Sequence, residues 1–166
     1  MVRMMNRPLR RMNRPLRVLL AEDNSAHATL VARSLEDHGF DVEIIHVSDG
    51  DEALRYLRGE SPYAESDRSP LPDLMLLDLR MPKTDGLEVL RQIKGDVELH
   101  RLPVVVLTTS AAESDVDQAY ELQANSYLVK PADFDKFSNL MRDLGLYWSR
   151  WNKGPRIHSR EGLSPS

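Results

Sequence analysis

The sequence predicts an α/β protein in which five parallel strands form one doubly wound sheet with helices on both faces, in three layers. Short apolar runs alternate five times with segments of helical periodicity along 166 residues, a length that suits one domain. One run, residues 74–77, is apolar throughout and lacks the alternation of a strand that faces water on one side. This regular alternation of strand and helix favours right-handed crossovers between parallel strands.

The first half of the pattern contains two strands and two helices. Residues 17–21 form an apolar strand, and residues 27–38 carry apolar side chains at helical spacing up to Gly39, which ends the helix. Residues 40–47 alternate as a second strand, and a short helix follows over residues 52–57 after a glycine-containing turn.

The second half contains three strands and three helices. A long polar loop with three prolines precedes them at residues 58–72. Strands are predicted over residues 74–77, 102–107 and 125–129, and helices over residues 87–94, 115–122 and 134–144. The 115–122 helix has weak apolar spacing, which indicates an exposed or partner-facing element.

The net charge of −4 is unevenly distributed. The first seventeen residues hold six arginines and no acid, so the rest of the chain carries −10. Residues 5–10 recur as residues 12–17, and with two prolines and no apolar periodicity we expect residues 1–16 to be an arm that is disordered, or ordered only at its end. The arm could be a solvated tail, a leader translated from an upstream start, or a contact for nucleic acid or an acidic surface. The lack of an interleaved aromatic side chain favours the tail.

The composition excludes several classes of protein. Hydrophobic residues make up 41% and charged residues 29%, as is typical of a soluble globular domain, and no apolar run approaches the length of a membrane span. The absence of cysteine from the sequence excludes disulfides, thiolate nucleophiles and cysteine-ligated metals. A cytoplasmic location is compatible with these properties and is our expectation.

Chemically active side chains follow four of the five predicted strands. Glu22 and Asp23 follow the first strand, Asp78 the third, Thr108 the fourth and Lys130 the fifth. Parallel strands bring their carboxyl ends to one edge of the sheet. Three carboxylates at one edge repel each other unless a divalent cation neutralises them, and oxygen ligands alone favour Mg²⁺. An ammonium and a hydroxyl beside them suit phosphoryl oxygens, and Asp78 could attack phosphorus to form an aspartyl phosphate.

Each of these residues also has an ordinary structural explanation. Asp23 or Ser25 could cap a helix, Lys130 could pair with one acid, and Thr108 could be a plain strand residue. Any one of these explanations is sufficient for its own residue. Together they do not account for four strand ends that carry groups of one chemistry, so we interpret this edge as a phosphoryl-acceptor site.

The sequence resembles the receiver domain of bacterial two-component response regulators over residues 16–145. The matching motifs occur in order and at the family's spacing: Leu19-Leu20-Ala21-Glu22-Asp23-Asn24, Leu76-Leu77-Asp78-Leu79-Arg80-Met81-Pro82 with Asp85-Gly86, Val106-Leu107-Thr108, and Tyr127-Leu128-Val129-Lys130-Pro131. The resemblance implies a flavodoxin-like (βα)₅ fold over residues 17–145. It also implies transfer of a phosphoryl group from a histidine kinase or a phosphotransfer protein to Asp78.

The resemblance further implies a metal site. Asp23, Asp78 and the main-chain carbonyl of Arg80 are expected to bind Mg²⁺, or Mn²⁺ in its place. Glu22 is expected to act through a water. Arg80 and Ser110 flank the site at positions that vary in the family and influence dephosphorylation.

A conformational switch is implied as well. Thr108 and Lys130 are expected to bind the phosphoryl oxygens, and the Lys130–Pro131 peptide is expected to be cis. In the family, the Thr108 hydroxyl moves toward the phosphate and the Tyr127 ring turns inward. These movements bias a face made of the fourth helix, the fifth strand and the fifth helix, which is also the expected homodimer surface.

Two departures from a minimal receiver narrow the resemblance. The long 58–72 loop and an extended last helix are most similar to single-domain regulators that serve phytochrome-type kinases. Residues 146–166 are expected to be a partly ordered extension. Tyr147, Trp148 and Trp151 could pack back on their own domain or form a partner or homodimer surface, and the surface is favoured because the core is complete before them.

The sequence allows three functions, of which two involve this edge of the sheet and one the arginine arm. With about 20 residues after the last helix, no output domain is expected, which predicts a signalling module that acts by protein contact and is not an enzyme. The alternative, a haloacid dehalogenase-type phosphohydrolase, needs a second acid two residues after the nucleophile, where this chain has Arg80. Nucleic-acid binding through the arginine arm is disfavoured by the acidic body.

Overall fold

The computed structural model describes residues 14–60 and 71–155. The strands are β1 (Leu16–Ala21), β2 (Val42–Val47), β3 (Leu74–Leu77), β4 (Val104–Thr108) and β5 (Ser126–Val129). The helices are α1 (Ser25–Asp37), α2 (Gly50–Arg58), α3 (Gly86–Lys94), α4 (Glu113–Glu121) and α5 (Phe134–Leu146). A π-helical turn (Tyr147–Trp151) continues directly from α5.

All five strands pair in parallel in the order β2-β1-β3-β4-β5. The order reverses direction between β1 and β3, so the carboxyl ends of these two strands flank the crevice where open α/β sheets bind ligands. The predicted flavodoxin-like five-stranded parallel sheet is confirmed.

The sheet is buried on both faces, and its pleat sorts the core into two layers. On β3, Met75 and Leu77 point to the side covered by α2, α3 and α4, whereas Leu74 and Leu76 point to the side covered by α1 and α5. All four β3 residues are buried, which explains the uninterrupted apolar run in the sequence. The three-layer arrangement is therefore confirmed.

Side-chain caps set the starts of four helices. The capping residues are Asn24, Asp49, Asp85 and Asp133, each of which accepts a hydrogen bond from a backbone amide in the first turn. As a result α1 begins at Ser25 and α2 at Gly50, two residues earlier than predicted. Gly50 is thus the first residue of a helix, although the sequence placed it in a turn. α4 begins after Ala112, whose side chain caps nothing.

Ordered structure continues on both sides of residues 17–145. Leu16 is buried in β1, and the guanidinium of Arg14 donates two hydrogen bonds to Asp73, so ordered contacts begin inside the predicted 1–16 arm. At the other end, helical structure continues past residue 145 to Trp151. The rest of the arm (1–13), most of the 58–72 loop (61–70) and the end of the extension (156–166) lie outside the described residues.

Helix α2 and the loop that follows β3 are in direct backbone contact. A Cβ atom on Gly50 would lie 1.8 Å from the carbonyl oxygen of Thr84. The Thr84 hydroxyl donates to the carboxylate of Asp51, and Lys83 Nζ lies 3.2 Å from Asp49 Oδ2. These contacts hold the loop between β3 and α3 against the start of α2.

We expect Gly50→Ala to lower the free energy of unfolding by about 1–3 kcal/mol, because one of the two backbones must move. Urea denaturation measures the change. Gly154→Ala is the matched control, since a Cβ there meets nothing within 4 Å. Equal stability of Gly50→Ala and wild type would contradict this packing.

Candidate functional site

The structure brings the predicted strand-end side chains together at one edge of the sheet. The Thr108 hydroxyl, at the end of β4, donates to Asp78 Oδ1 at 3.0 Å. Lys130, which follows β5, places its Nζ 3.2 Å from Asp78 Oδ2 and also forms a close ion pair with Glu22. One ammonium group therefore links the acids that follow β1 and β3.

These side chains are withdrawn from solvent. Asp78 is 7% exposed, Glu22 2% and Lys130 9%. A buried charge is stable when it is paired and hydrogen-bonded, and here two carboxylates share one cation. The pair is short of one positive charge, so one carboxylate must be neutralised or compensated from outside.

Burial and the hydrogen bonds around the two acids move their pKa values apart. Burial raises the pKa of Glu22 to about 7 against the opposing hydrogen bond from Lys130, and the charge of Asp78 adds to the rise. For Asp78, burial is outweighed by the Arg80 amide hydrogen bond and the charge of Lys130, so its pKa lies below its usual range. Asp78 is the acid that stays ionised.

Carboxylate oxygens of Glu22, Asp23 and Asp78 lie within 4.8 Å of one another. Asn24 caps α1, so neither Asp23 nor Ser25 takes the capping role that the sequence left open. Asp23 is exposed beside the two buried acids. Three acidic oxygen donors around a site short of positive charge suit a hard divalent cation, so the residues present fit such a metal.

Backbone contacts fix the position of Asp78. The amide of Arg80 donates to Asp78 Oδ1 at 3.1 Å, as in a tight turn around the carboxylate. A Cβ on Gly86 would lie 2.3 Å from the carbonyl oxygen of Asp78, so only glycine permits the start of α3 to approach this closely. In the Asp85-Gly86 pair, Asp85 therefore caps α3 and Gly86 allows the start of that helix to approach the backbone of Asp78.

Two histidines that the sequence did not identify as site residues also contact the site. His27, in the first turn of α1, lies with Nδ1 3.2 Å from Lys130 Nζ, and His46 Nε2 lies 2.7 Å from the carbonyl oxygen of Glu22. His27 is four residues beyond Asp23, in the helix that leaves the acidic strand end. That spacing is the feature of the sequence that could have identified it.

The predicted switch residue Tyr127 lies next to this edge. It is half-buried, and its hydroxyl donates to the carbonyl oxygen of Ser110 at 2.9 Å. The Ser110 amide in turn donates to the Thr108 hydroxyl oxygen at 3.4 Å. Tyr127 and Thr108 are therefore connected through one residue of the loop after β4.

The aromatic residues of the extension take different environments. Trp148 is half-buried and packs against the core layer beneath α5, whereas Trp151 is 74% exposed and Tyr147 is 52% exposed. Trp148 therefore packs on its own domain, which is one of the two alternatives that the sequence left open. Tyr147 and Trp151 are exposed and so remain available for a partner or homodimer surface.

Fold and site together are those of a signalling domain that carries an acceptor aspartate, and the family comparison agrees. Residues 18–142 match the model of the response regulator receiver domain. The chain belongs to this family: it is a receiver domain of a two-component response regulator, a module that accepts a phosphoryl group on an aspartate.

Two curated relatives and two solved structures are close in sequence. The chain is 46% identical over 138 residues to the probable methanogenesis regulatory protein FilR2 of Methanothrix harundinacea, covering 83% of this chain and 86% of that protein. It is 41% identical over 131 residues to response regulator Rcp1 of Synechocystis, covering 79% and 87%.

The crystal structure of phosphorylated RcpA, a cyanobacterial phytochrome response regulator, matches with a TM-score of 0.80 and 39% identity, covering 86% of this chain and 99% of that one. The Mn²⁺-bound form of Rcp1 matches with a TM-score of 0.79 and 39% identity, covering 86% and 100%. Within the described residues, no helix is both long and apolar enough to cross a membrane.

Glu22 is expected to make the stability of the metal-free protein depend on pH. Folding raises its pKa from 4.5 to about 7, so the folded state binds the proton more tightly. The free energy of unfolding contributed by Glu22 is therefore lost as the pH rises through that interval. Glu22→Gln removes the loss, and we expect its stability relative to wild type to increase by on the order of 2 kcal/mol between about pH 5 and pH 8.

Thermal unfolding in the presence of a chelator measures this difference. Glu36→Gln, on the exposed side of α1, is the control. A stability difference between Glu22→Gln and wild type that does not grow with pH would contradict the pKa assignment.

Proposed function

We propose that Asp78 is the phosphoryl acceptor of this receiver domain. The observation that carries the proposal is the pair of contacts on its two carboxylate oxygens, Thr108 Oγ1 on one and Lys130 Nζ on the other. A hydroxyl and an ammonium on either side of a nucleophile are the groups that stabilise charge on a transferring phosphoryl group. Glu22 and Asp23 lack this pair of contacts among the described residues.

In the proposed reaction an ionised oxygen of Asp78 forms a bond to phosphorus. With a phosphohistidine donor, the phosphorus–nitrogen bond breaks, and the imidazole nitrogen keeps the electron pair and takes up a proton. With acetyl phosphate, the phosphorus–oxygen bond breaks and acetate leaves. Lys130 and Thr108 already contact Asp78, so they need little movement to bind the phosphoryl oxygens as charge develops on them.

Glu22, Asp23, Asp78 and the main-chain carbonyl of Arg80 are the groups that would hold Mg²⁺, with Glu22 acting through water. Bound there, the cation would supply the positive charge that the site lacks and would orient the incoming phosphoryl group. The acidic cluster and the Mn²⁺-bound form of Rcp1 support this assignment. Mn²⁺ is expected to replace Mg²⁺.

We infer a signalling role for the phosphorylated protein and no turnover of small phosphates. A haloacid dehalogenase-type phosphohydrolase would have a second acid at the position of Arg80. Here that position carries a guanidinium, which pairs with Asp115. The donor is proposed to be a histidine kinase or a phosphotransfer protein in the cytoplasm.

A phytochrome kinase is our first candidate for the donor. It is supported by the name of RcpA, a cyanobacterial phytochrome response regulator, and by the predicted loop and extension. FilR2, which is 46% identical to this chain, is named as a probable methanogenesis regulatory protein, so similarity at this level does not by itself identify the kinase. The kinase is therefore a matter for direct phosphotransfer assays with purified candidates.

Incubation with Mg²⁺ and acetyl phosphate, followed by intact-mass analysis, tests the acceptor. Wild type is expected to gain one phosphate and Asp78→Asn none, because the amide cannot act as the nucleophile. Chelation of divalent cations is expected to abolish the adduct. Asp37→Asn, at the exposed end of α1, is the matched control and should react as wild type does. An adduct on Asp78→Asn, or none on wild type, would refute the proposal.

We further propose that the chain forms a homodimer through the face made of α4, β5 and α5. Large apolar side chains are exposed on each of these elements: Tyr120 on α4, Val129 on β5 and Phe134 on α5. Tyr147 and Trp151 extend the same apolar character beyond α5. Exposed large apolar side chains on these three elements support an association surface there.

Trp151→Ala is expected to weaken the dimer about tenfold in Kd or more, since truncating a tryptophan in an interface is among the costlier substitutions. Sizing with light scattering, with and without phosphorylation, measures the change. Val97→Ala removes another exposed apolar side chain, 88% exposed, away from this face and is the control. Association of Trp151→Ala equal to that of wild type would remove this residue from the interface.

A further inference from the structure

A closed ring of hydrogen bonds connects Asp78 to α4, and we call it the acceptor ring. Asp78 Oδ1 accepts from the Thr108 hydroxyl at 3.0 Å, and the Thr108 oxygen accepts from the Ser110 amide at 3.4 Å. The Ser110 hydroxyl donates to Asp115 Oδ2 at 2.5 Å, and Arg80 Nη2 donates to the same oxygen at 2.6 Å. The Arg80 amide closes the ring on Asp78 Oδ1 at 3.1 Å.

Helix α4 buries fewer residues than the other four α-helices. It buries two residues, Asp115 and Ala119, and the first of these carries a charge. Each of the other four α-helices begins with a side-chain cap, whereas Ala112 supplies none. A helix with few buried apolar contacts and an uncapped start is a low-stability element that local contacts can bias.

We propose that Arg80 is an additional phosphoryl-binding residue, and that its ion pair with Asp115 keeps it from the acceptor site before phosphorylation. When Asp78 is phosphorylated, the Arg80 guanidinium exchanges the Asp115 carboxylate for the phosphoryl oxygens, and the start of α4 is released. The proposal rests on the proposed function, since it requires Asp78 to be the acceptor.

The charges favour this exchange. A phosphoryl group brings more negative charge than a carboxylate and offers three acceptor oxygens, which suit the planar guanidinium fork. The Arg80 side chain is 68% exposed, so its guanidinium can turn from Asp115 to the phosphoryl group without leaving a packed position. The Arg80 amide already contacts Asp78, which keeps the guanidinium within reach of the site.

The consequence falls on Asp115, whose side chain is 11% exposed. Once Arg80 leaves, a largely buried carboxylate has lost its cation and keeps the Ser110 hydroxyl. Because a buried charge without a partner is costly, α4 is expected to loosen or shift until Asp115 reaches water. Phosphorylation of Asp78 is thereby read out at α4 by a route separate from the movement of Tyr127.

Hydrogen exchange of the α4 amides, followed by mass spectrometry of peptides covering residues 110–122, tests the proposal. We expect phosphorylation of wild type with acetyl phosphate and Mg²⁺ to speed this exchange about fivefold. Arg80→Gln leaves Asp115 without its cation, so its α4 is expected to exchange about as fast before phosphorylation as that of phosphorylated wild type. Asp115→Asn removes the buried charge, so its α4 is expected to exchange as slowly as that of unphosphorylated wild type. In both variants phosphorylation should add less than about twofold. Arg80→Lys keeps the charge and should retain the response.

The controls are Glu88→Gln and Arg91→Gln, which break an ion pair of 2.7 Å on α3 that touches neither Asp78 nor α4. Both should respond to phosphorylation as wild type does. If Asp115→Asn does not fold, α4 exchange in Arg80→Gln and Arg80→Lys, each measured with and without phosphorylation, still tests the proposal.

Intact mass on the same samples separates the two proposals. Wild type that carries one phosphate but shows no faster α4 exchange would overturn the exchange of Arg80. So would an Arg80→Gln protein whose α4 responds to phosphorylation as fully as wild type. Wild type that takes up no phosphate would overturn the proposed function instead.

Discussion

The ammonium of Lys130 sits between two buried carboxylates, Glu22 and Asp78, and the rest of the site is arranged around this unequal count of charges. Burial raises the pKa of Glu22 to about 7, whereas at Asp78 burial is outweighed by the Arg80 amide and the charge of Lys130, which hold its pKa below the usual range, so Asp78 remains the ionised acid. The same deficit makes the acidic edge suitable for a divalent cation. The proposed phosphoryl group would add negative charge to this edge, which the proposed divalent cation and Lys130 would offset.

The parallel sheet makes this convergence possible. Glu22, Asp78, Thr108 and Lys130 come from four separate strands, and they meet because β1, β3, β4 and β5 all end at one edge. Burial of β3 on both faces holds Asp78 rigidly at the centre. The helices behind this edge differ in how firmly they are held, and α4, with a charged residue among its two buried ones, is the least firmly packed. A site fixed on one side and loosely held on the other suits a signalling domain.

The sequence predicted the fold and the convergence of strand ends because both follow from local patterns, namely apolar runs, helical spacing and the residue after each strand. It placed the starts of α1, α2 and α4 two residues late, and at the first two of these Asn24 and Asp49 act as caps that periodicity does not register. The contact of Asp115 with Arg80 could not be predicted, because it depends on the rotation of α4 against a distant loop. The contact of His27 with Lys130 joins residues 103 positions apart, so the sequence indicated only that His27 lies in the helix after the acidic strand end.

The central claim is that Asp78, and neither neighbouring acid, carries the phosphoryl group. Borohydride reduction of the phosphorylated protein converts an acyl phosphate to an alcohol, and tandem mass spectrometry of the peptides then locates the altered residue. The structure predicts reduction at Asp78 alone, because Asp78 is the acid that both Thr108 and Lys130 contact. Reduction at Glu22 or Asp23 with Asp78 unchanged would contradict the account.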